Sequence, residues 1–566
     1  MSQPTQNPRT PLTVFKASAG SGKTFTLAVE YIKLLIENPL YFRHILAVTF
    51  TNKATEEMKM RILSQLNGLA HGYEDSNDYL EKISKELGVD ERLVRSRAQQ
   101  ALTSIIHDYS SFRVETIDKF FQRVLRNLAR ELDLSANLRI ELNDRQVEQL
   151  AVDTMIESLD QQNPMLQWVM SYILENIGND KGWNIIKKVK RFGENIFKDT
   201  YKVKRKALEK FMSDPEHFDN VRNELRQTRA KCLSVMKNHA DQFFTAIEGY
   251  DGSNFAHNTS GIYGFFCNLR QGKLDPSMVG KRVLSCLNSP ESWVTKTSPT
   301  REDIIGLAER KLISTLGATI NDLNVYARIY KSVSTTEENL NQLRLLGNIE
   351  ATMRTLNSES SRFLLSDTQA ILKGMINGSD SPFIFEKIGA PLQSIMIDEF
   401  QDTGALQWHN FKVLLDDCMS KSKGNLIVGD VKQSIYRWRD GDWRLLNNIT
   451  GEFANDKSMV TVQPLDTNYR SSRRVIEFNN EFFTLATKAE SDRLLEMVGG
   501  EAHDLSTAYS DVVQFVPEWR PATGYVRIEM MEKETYESTI MEYLADIIHQ
   551  LLDNGIPQSK IAILSR

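Results

Sequence analysis

Four short apolar runs are spread along the chain, and each stops at polar or glycine-containing residues: Leu12-Thr13-Val14-Phe15, Ile45-Leu46-Ala47-Val48, Ser394-Ile395-Met396-Ile397 and Asn425-Leu426-Ile427-Val428. Near-continuous hydrophobicity without polar alternation predicts strands covered on both faces, as in a parallel sheet. Thr24 to Ile36 instead carries apolar residues at helical spacing, which predicts a helix directly after the first strand. Between roughly residues 135 and 380 the period becomes helical throughout, with Leu, Ile and Met in amphipathic register. After Asp442 a further region predicts strands at Tyr525–Met530 and Ile561–Leu564 and a helix at Thr539–Leu552, while Gly252–Gly261, rich in Gly, Ser and Asn, predicts a mobile loop. The pattern divides the chain into an α/β core in two parts, residues 1–135 and 381–450, a helical insertion, residues 136–380, and the start of a second α/β core, residues 451–566.

The turns after these strands carry the candidate chemistry. Ala17-Ser18-Ala19-Gly20-Ser21-Gly22-Lys23-Thr24 lies between the first strand and its helix and fits the phosphate-binding loop pattern, except that Ala17 replaces the leading glycine. Small residues let backbone N–H groups turn inward around phosphate oxygens, and the helix N-terminus adds partial positive charge. In such a loop Lys23 reaches the β- and γ-phosphates and the Thr24 hydroxyl ligates Mg2+, so ATP and Mg2+ are the expected cofactors. The third run ends in Asp398-Glu399-Phe400-Gln401-Asp402-Thr403. A carboxylate pair at a strand end is either a solvated terminus or a metal ligand beside a general base, and the upstream phosphate loop shifts the balance toward the second.

Composition narrows the class. At 566 residues with 41% apolar and 25% charged positions, the chain is an ordinary globular protein with room for several domains. Met1–Thr10 is polar and no long apolar run exists, so neither a signal peptide nor a membrane span is expected, and the expected location is cytoplasmic. Cys232, Cys267, Cys286 and Cys418 are scattered without C-x-x-C pairing, which favours reduced, buried thiols over a zinc or iron–sulfur site. The net charge of −5 hides one basic stretch, Lys181–Lys210, with eleven Lys/Arg against three Asp/Glu. Its interleaved Trp183, Phe192, Phe197 and Tyr201 fit either a surface that follows a nucleic-acid backbone or a solvated helix face over core aromatics.

Taken in order, Ala17–Thr24, Thr49–Thr55, Asp398–Thr403, Gly429–Asp440 and Asn468-Tyr469-Arg470-Ser471 resemble the UvrD/Rep type of superfamily-one DNA helicase. Ser18 and the run Gly429–Arg439 are similar to the AddA/RecB branch, whose members are motor subunits of end-processing helicase–nuclease complexes. The resemblance implies a P-loop RecA-like core domain with a large all-α insertion, followed by the start of a second RecA-like core. By resemblance, Asp398 helps hold Mg2+, Glu399 orients and deprotonates the attacking water, Gln433 senses the γ-phosphate, Arg470 contacts it, and Tyr469 stacks on adenine. Thr49, Phe50, Thr51 and Asn52 match a first DNA-contacting motif. Thr116-Ile117-Asp118-Lys119-Phe120 matches a second, with Asp118 where relatives often carry histidine. Tyr436 and Trp438 alternate with Arg437 and Arg439, so a strand here would present rings on one face and guanidiniums on the other. The resemblance assigns base stacking to Trp438 and DNA contacts to Tyr436 and Arg439, a role that flat rings suit because every base offers a stacking face.

The expected activity is therefore ATP-driven translocation on single-stranded or end-containing DNA, 3′ to 5′ by resemblance, in repair or recombination. Two alternatives stand beside it. One is a component of a helicase–nuclease whose nuclease follows Arg566 and which works with a nuclease or helicase partner; the other is a fragment that binds DNA or a partner without complete ATPase activity. Neither Gln3 nor Gln6 matches the family's adenine-reading glutamine in spacing. The later motifs of the second core, including an arginine that crosses the cleft, are expected beyond Arg566. Such an arginine is worth roughly 10³ to 10⁵ in phosphoryl transfer, so the chain alone is expected to bind nucleotide and hydrolyse it poorly.

Overall fold

The computed structural model describes residues 10–127, 139–141, 143–159, 166, 170, 185–295, 297–360, 362–364, 367–369, 372–373, 392–422, 424–453, 457–498, 503–532 and 536–565. Gln3, Gln6, Lys181, Trp183 and Arg566 lie outside these residues.

The predicted strands form at β1 (Leu12–Ala17), β2 (Ile45–Thr49), β6 (Ser394–Ile397) and β7 (Asn425–Gly429), joined by β3 (Val114–Thr116) and β8 (Val460–Leu465). Their order is β3-β2-β6-β7-β1-β8, and every neighbouring pair is parallel. Side chains alternate between two cores, as a strand's period of two requires. Phe15, Ile45, Ala47, Met396, Leu426 and Val428 face α1 (Lys23–Glu37), α2 (Asn52–His71), α3 (Asn77–Leu87) and α4 (Glu91–His107). Leu12, Val14, Leu46, Val48, Ile395, Ile397 and Ile427 face α5 (Ile117–Asn127) and the helix Ala405–Lys421. Burial on both sides explains why the central strands read as continuous apolar runs. Because all six strands run the same way, Ala17, Thr49, Thr116, Ile397, Gly429 and Leu465 end at one edge, where an α/β sheet gathers its site.

β8 pairs with β1 from Leu12↔Val460 to Ala17↔Leu465, so the first core's sheet extends beyond the boundary expected at residue 450. Between the two parts of the core, the helices Pro215–Ala246 and Ile313–Glu359, of 32 and 47 residues, pack side by side. One hydrophobic core sits at the start of the longer helix and includes Phe243, Phe255, Phe266 and Trp293, with the Phe243 and Phe266 rings stacked 4.0 Å apart. Buried aromatics of this size contribute about 1.5–3 kcal/mol each, and the Trp293 indole N–H is satisfied by the Cys286 carbonyl at 2.7 Å. A second core near the other end of that helix includes Val147, Ala151, Ile349 and Met353. The insertion is not all-α: β4 (Arg139–Glu141) and β5 (Arg362–Leu364) pair in parallel.

Three local expectations are corrected. Residues 252–261 are not a plain loop but hold two 3-10 turns, Gly252–Asn254 and Asn258–Ser260, around the buried Phe255, with Asp251 and Asn254 closing a capping box. Tyr525–Met530 and Ile561–Leu564 form no strand; Met530 and Leu564 are 93% and 96% exposed, and no strand among the described residues pairs with either run. A strand needs a neighbour to take its N–H and C=O groups, and an apolar run alone does not supply one. The predicted helix does form, at Tyr536–Asp553.

The four cysteines are free, and burial pushes the thiols of Cys286 and Cys418 up to about 11 and about 12, which makes them poor nucleophiles. Among the described residues no helix is long and apolar enough to cross a membrane.

Candidate active site and nucleic-acid interface

The phosphate loop is shaped by two glycines. Gly20 and Gly22 sit at φ 75° and 81°, in the left-handed region that glycine tolerates without strain. Ser18 N–H donates to the Leu465 carbonyl at 3.0 Å and Ser21 N–H to the Ser18 carbonyl at 3.2 Å, which bends the chain back over the end of β1. Gly22 caps α1 without a side chain, so the first-turn N–H groups are not closed by a side-chain cap. Open donors at a helix N-terminus are an anion site, and Lys23 and Thr24 are the first two residues of that turn.

Opposite the loop, β6 delivers the acidic pair. Asp398 is 7% exposed, accepts from the Glu399 N–H at 2.9 Å, and has its carboxyl pushed up to about 6 by burial and then by the Glu399 charge. Glu399 itself sits at φ 52°, a conformation that costs a non-glycine residue about 1 kcal/mol or more and that re-aims its side chain across the cleft. Its Oε2 meets Lys23 Nζ at 3.2 Å, and Lys23 also donates to Gln433 Oε1 at 3.0 Å. Gln401 locks this triangle: its amide donates to Glu399 Oε2 at 2.7 Å while its oxygen accepts from the Asp430 N–H at 2.9 Å, and Gln433 donates to Asp430 Oδ2 at 2.9 Å. Lys23, Glu399 and Gln433, placed 376 and 410 residues apart in sequence, are thus in direct contact.

Asp398 and Thr24 are the residues that would hold Mg2+. The donor set fits, since a buried carboxyl whose ionised form is disfavoured is stabilised by a hard cation, and carboxylate plus hydroxyl oxygens suit Mg2+. When bound with nucleotide, the ion neutralises charge on the phosphates. With a nucleotide in place, the protein's own groups would supply the rest: Lys23 a cation for the phosphates, Gln433 an amide, and Glu399 a carboxylate able to take a proton from water.

The segment Asn468-Tyr469-Arg470 packs directly on the phosphate loop. Tyr469 N–H donates to the Gly20 carbonyl at 3.0 Å, and a Cβ on Gly20 would lie 2.6 Å from Asn468 Oδ1 and 3.0 Å from Arg470 Cβ. Asn468 Oδ1 accepts from the N–H groups of Arg470 and Ser471, each at 2.9 Å, and so sets the turn that carries them. Tyr469 is 55% exposed and Arg470 is exposed, both available to a ligand on the loop. Gln514 completes the contact, accepting from Asn468 Nδ2 and donating to the Ala19 carbonyl, both at 2.8 Å. Sequence reading did not assign roles to Gln401, Asp430, Asn468 or Gln514. The first three lie inside the motifs it quoted, whereas Gln514 is 495 residues from its partner and carries no local signal.

Beside this cleft lies a platform of rings. Phe50 and Tyr436 have centroids 4.6 Å apart, Tyr436 and Trp438 6.0 Å, and the Arg439 guanidinium lies 5.7 Å from Phe50 and 5.4 Å from Trp438. Trp438 is 72% exposed. The expected strand is absent, because Arg437–Arg439 is a 3-10 turn, and the turn gathers rings and guanidinium together instead of sorting them to opposite faces. Thr49 is fully buried and its hydroxyl is paired with Thr55 at 2.7 Å, so its side chain shapes the loop and is not presented to a nucleic acid. Thr51 caps α2 by accepting from the Ala54 N–H at 3.1 Å, Asn52 is exposed at that helix start, and Thr116 accepts from the Lys119 N–H at 3.3 Å at the start of α5. Burial raises the Asp118 carboxyl, and the nearby Arg439 opposes the rise.

Part of the basic stretch is structural. Lys190, Lys202 and Arg205 pair with Asp153, Asp367 and Glu350, Tyr201 is buried and donates to Glu350 at 2.9 Å, and Phe192 and Phe197 pack on the insertion core. These aromatics are core residues and not a stacking surface.

The model of the family described as UvrD/REP helicase N-terminal domain matches residues 1–454. Among similar proteins, the RecBCD enzyme subunit RecB of Chlamydia pneumoniae is 26% identical over 83% of this chain and 41% of its own length, and its counterpart from Chlamydia muridarum is 22% identical over 97% and 49%. An ATP-dependent helicase/nuclease subunit of Listeria monocytogenes is 24% identical over 82% of this chain and 37% of its own length. The chain thus spans about half or less of the length of the curated relatives it matches.

Proposed function

Because the chain belongs to the UvrD/REP helicase family, we propose that it is the ATP-driven motor portion of a DNA helicase acting in DNA repair or recombination. The observation that carries this reading is the Lys23–Glu399–Gln433 triangle facing a phosphate loop at the same sheet edge as the Phe50, Tyr436 and Trp438 rings. Nucleotide chemistry and base stacking then share one loop, since Gln433 and Trp438 are five residues apart. In this reading ATP binds with Mg2+ on Thr24 and Asp398, Tyr469 stacks on adenine, and Arg470 and Lys23 face the phosphates. Glu399 takes the proton from the attacking water, and Trp438, Tyr436 and Arg439 hold single-stranded DNA. Translocation 3′ to 5′, by resemblance, and a cytoplasmic location belong to the same proposal.

In a second reading the chain belongs to a helicase–nuclease that acts on DNA ends with partner subunits. It is supported by the names of the relatives, which place them in the RecBCD enzyme and in an ATP-dependent helicase/nuclease.

The test is a crossed pair of variants read with a fluorescent ATP analogue and labelled (dT)20. Lys23→Ala is expected to weaken nucleotide by at least tenfold and leave (dT)20 within twofold. Trp438→Ala is expected to do the reverse, since one base–aromatic stack is worth about 1–3 kcal/mol. A wild-type chain that binds neither ligand would end the proposal.

A further inference from the structure

The helix Ala405–Lys421, which follows the acidic segment, starts at a residue with no side chain to cap it. Gly404 is the N-cap, and Gln407 turns back to accept from the Gly404 N–H at 3.1 Å, which leaves the N–H groups of the first turn to find other partners. The helical insertion meets this turn. Asp199, the first residue of the helix Asp199–Ser213, places its carboxylate beside it, where the Leu406 backbone N–H favours the ionised form. Its own backbone N–H donates to Asp440 Oδ2 at 3.0 Å. Asp440 directly follows Arg439 and sits at φ 63°, and Gly441 pairs with Gly404 in an antiparallel bridge. Space at this junction is tight: a Cβ on Gly404 would lie 3.2 Å from Asp199 Oδ2 and 3.1 Å from the Asp440 carbonyl oxygen.

The other end of the ring-bearing loop is tied to the acidic segment itself. Asp402 Oδ1 accepts from the Ile435 N–H at 3.4 Å, and the Ser434 hydroxyl donates to the Gln401 carbonyl at 3.2 Å. Residues 434–441 are therefore held at one end by the residues after Glu399, and at the other by the Gly404 bridge, by the Thr403 carbonyl that takes the Asp442 N–H at 3.1 Å, and by Asp199 of the insertion. Charge attraction does not explain the second tie. Burial and the neighbouring Asp440 raise the Asp199 carboxyl to about 6, while Lys202 and Lys373 oppose the rise, so the N–H groups around Asp199 and Asp440 set the geometry.

We propose that Asp199 is a positioning residue through which the helical insertion holds the loop carrying Tyr436, Trp438 and Arg439 against the helix that follows the general base. For its effect on DNA this rests on the function proposed above; the tie itself does not. Amides of Arg439, Asp440 and Gly441 are hydrogen-bonded within the loop and report its order by hydrogen exchange in the full chain. Asp199→Ala is expected to speed exchange over 434–441 by about fivefold, the size of losing a helix cap, with β6 and β7 unchanged. The same variant should weaken (dT)20 several-fold and leave nucleotide affinity unaltered. Asp199→Asn, whose amide oxygen can accept the same N–H, should restore both, and Gly404→Ala should reproduce the loosening from the opposite side. Unchanged exchange in both alanine variants, or an asparagine variant that behaves like alanine, would overturn the assignment. If Asp199→Ala does not fold, Gly404→Ala and Asp199→Asn decide it. Failure of the wild-type chain to bind (dT)20 would instead remove the functional reading, while the exchange data would still decide the tie.

Discussion

The phosphate cleft and the base of the helical insertion use the same two devices to different ends. Each buries a carboxylate whose pKa is pushed up, Asp398 to about 6 and Glu148 to about 7, by burial first and a neighbouring glutamate second. Each places a glycine where a polar side chain must come close: a Cβ on Gly20 would run into Asn468, and one on Gly193 into Glu148. The surroundings differ. Around Asp398 stand Lys23, Glu399, Gln433 and the open first turn of α1, all converging on one space. Glu148 is fully buried, and among the described residues neither of its oxygens has a hydrogen-bond partner. A raised pKa marks a buried acid; convergent donors and acceptors around a concavity mark chemistry.

The sharpest way to break this comparison is Glu399→Gln. It should lower single-turnover hydrolysis by about 10²- to 10⁴-fold, the usual worth of a general base, with nucleotide affinity within twofold and thermal stability unchanged. Retained hydrolysis would remove the carboxylate from the reaction. The two glycines should then separate the regions. Gly193→Ala overpacks the insertion and should destabilise the protein by about 1–3 kcal/mol in urea melts, leaving ATP affinity intact. Gly20→Ala, strained at φ 75° and pressed on Asn468, should let the free loop relax out of its left-handed turn with little change in the melt, and weaken ATP by about tenfold, the equivalent of the roughly 1–2 kcal/mol needed to restore that turn on binding.

The pH-dependent effect concerns Glu148. Its folded pKa lies above that of an unfolded glutamate, so the native state holds the proton more tightly. The stability contributed by the protonated form is complete below about pH 4 and is lost as pH rises through about 7. Glu148→Gln should match the wild type in melting temperature near pH 4 and exceed it progressively toward pH 8, with no change in ATP binding. A constant difference across that range would show that ionisation of Glu148 is not what limits the insertion.

Legibility in sequence followed burial. β1, β2, β6 and β7 were readable because strands covered on both faces leave continuous apolar runs. β8 was not, since Val460–Leu465 is an edge strand with exposed Gln463 and Pro464 and no such run. The members of the Lys23, Glu399 and Gln433 cluster were readable motif by motif, because a glycine-rich loop, an acidic strand end and a glutamine turn each carry local chemistry. The rings and the guanidinium named from the sequence do lie together, but on a 3-10 turn and not on the expected strand, because Tyr436–Arg439 satisfies a strand's alternation while its amides close a turn.

By itself the sequence determined which residues could bind phosphate, lose or hold a proton and stack on a base, because those abilities belong to side chains and short turns. Only the tertiary structure decided which of them meet. Glu399 reaches Lys23 because β6 lies one strand away from β1 across β7, and Gln514 reaches Ala19 because the segment after Leu465 folds back over the loop. Tyr525–Met530 stayed unpaired for the same reason that Ser394–Ile397 became a strand: a strand is stabilised by the backbone beside it, and no residue carries its neighbour in its own sequence.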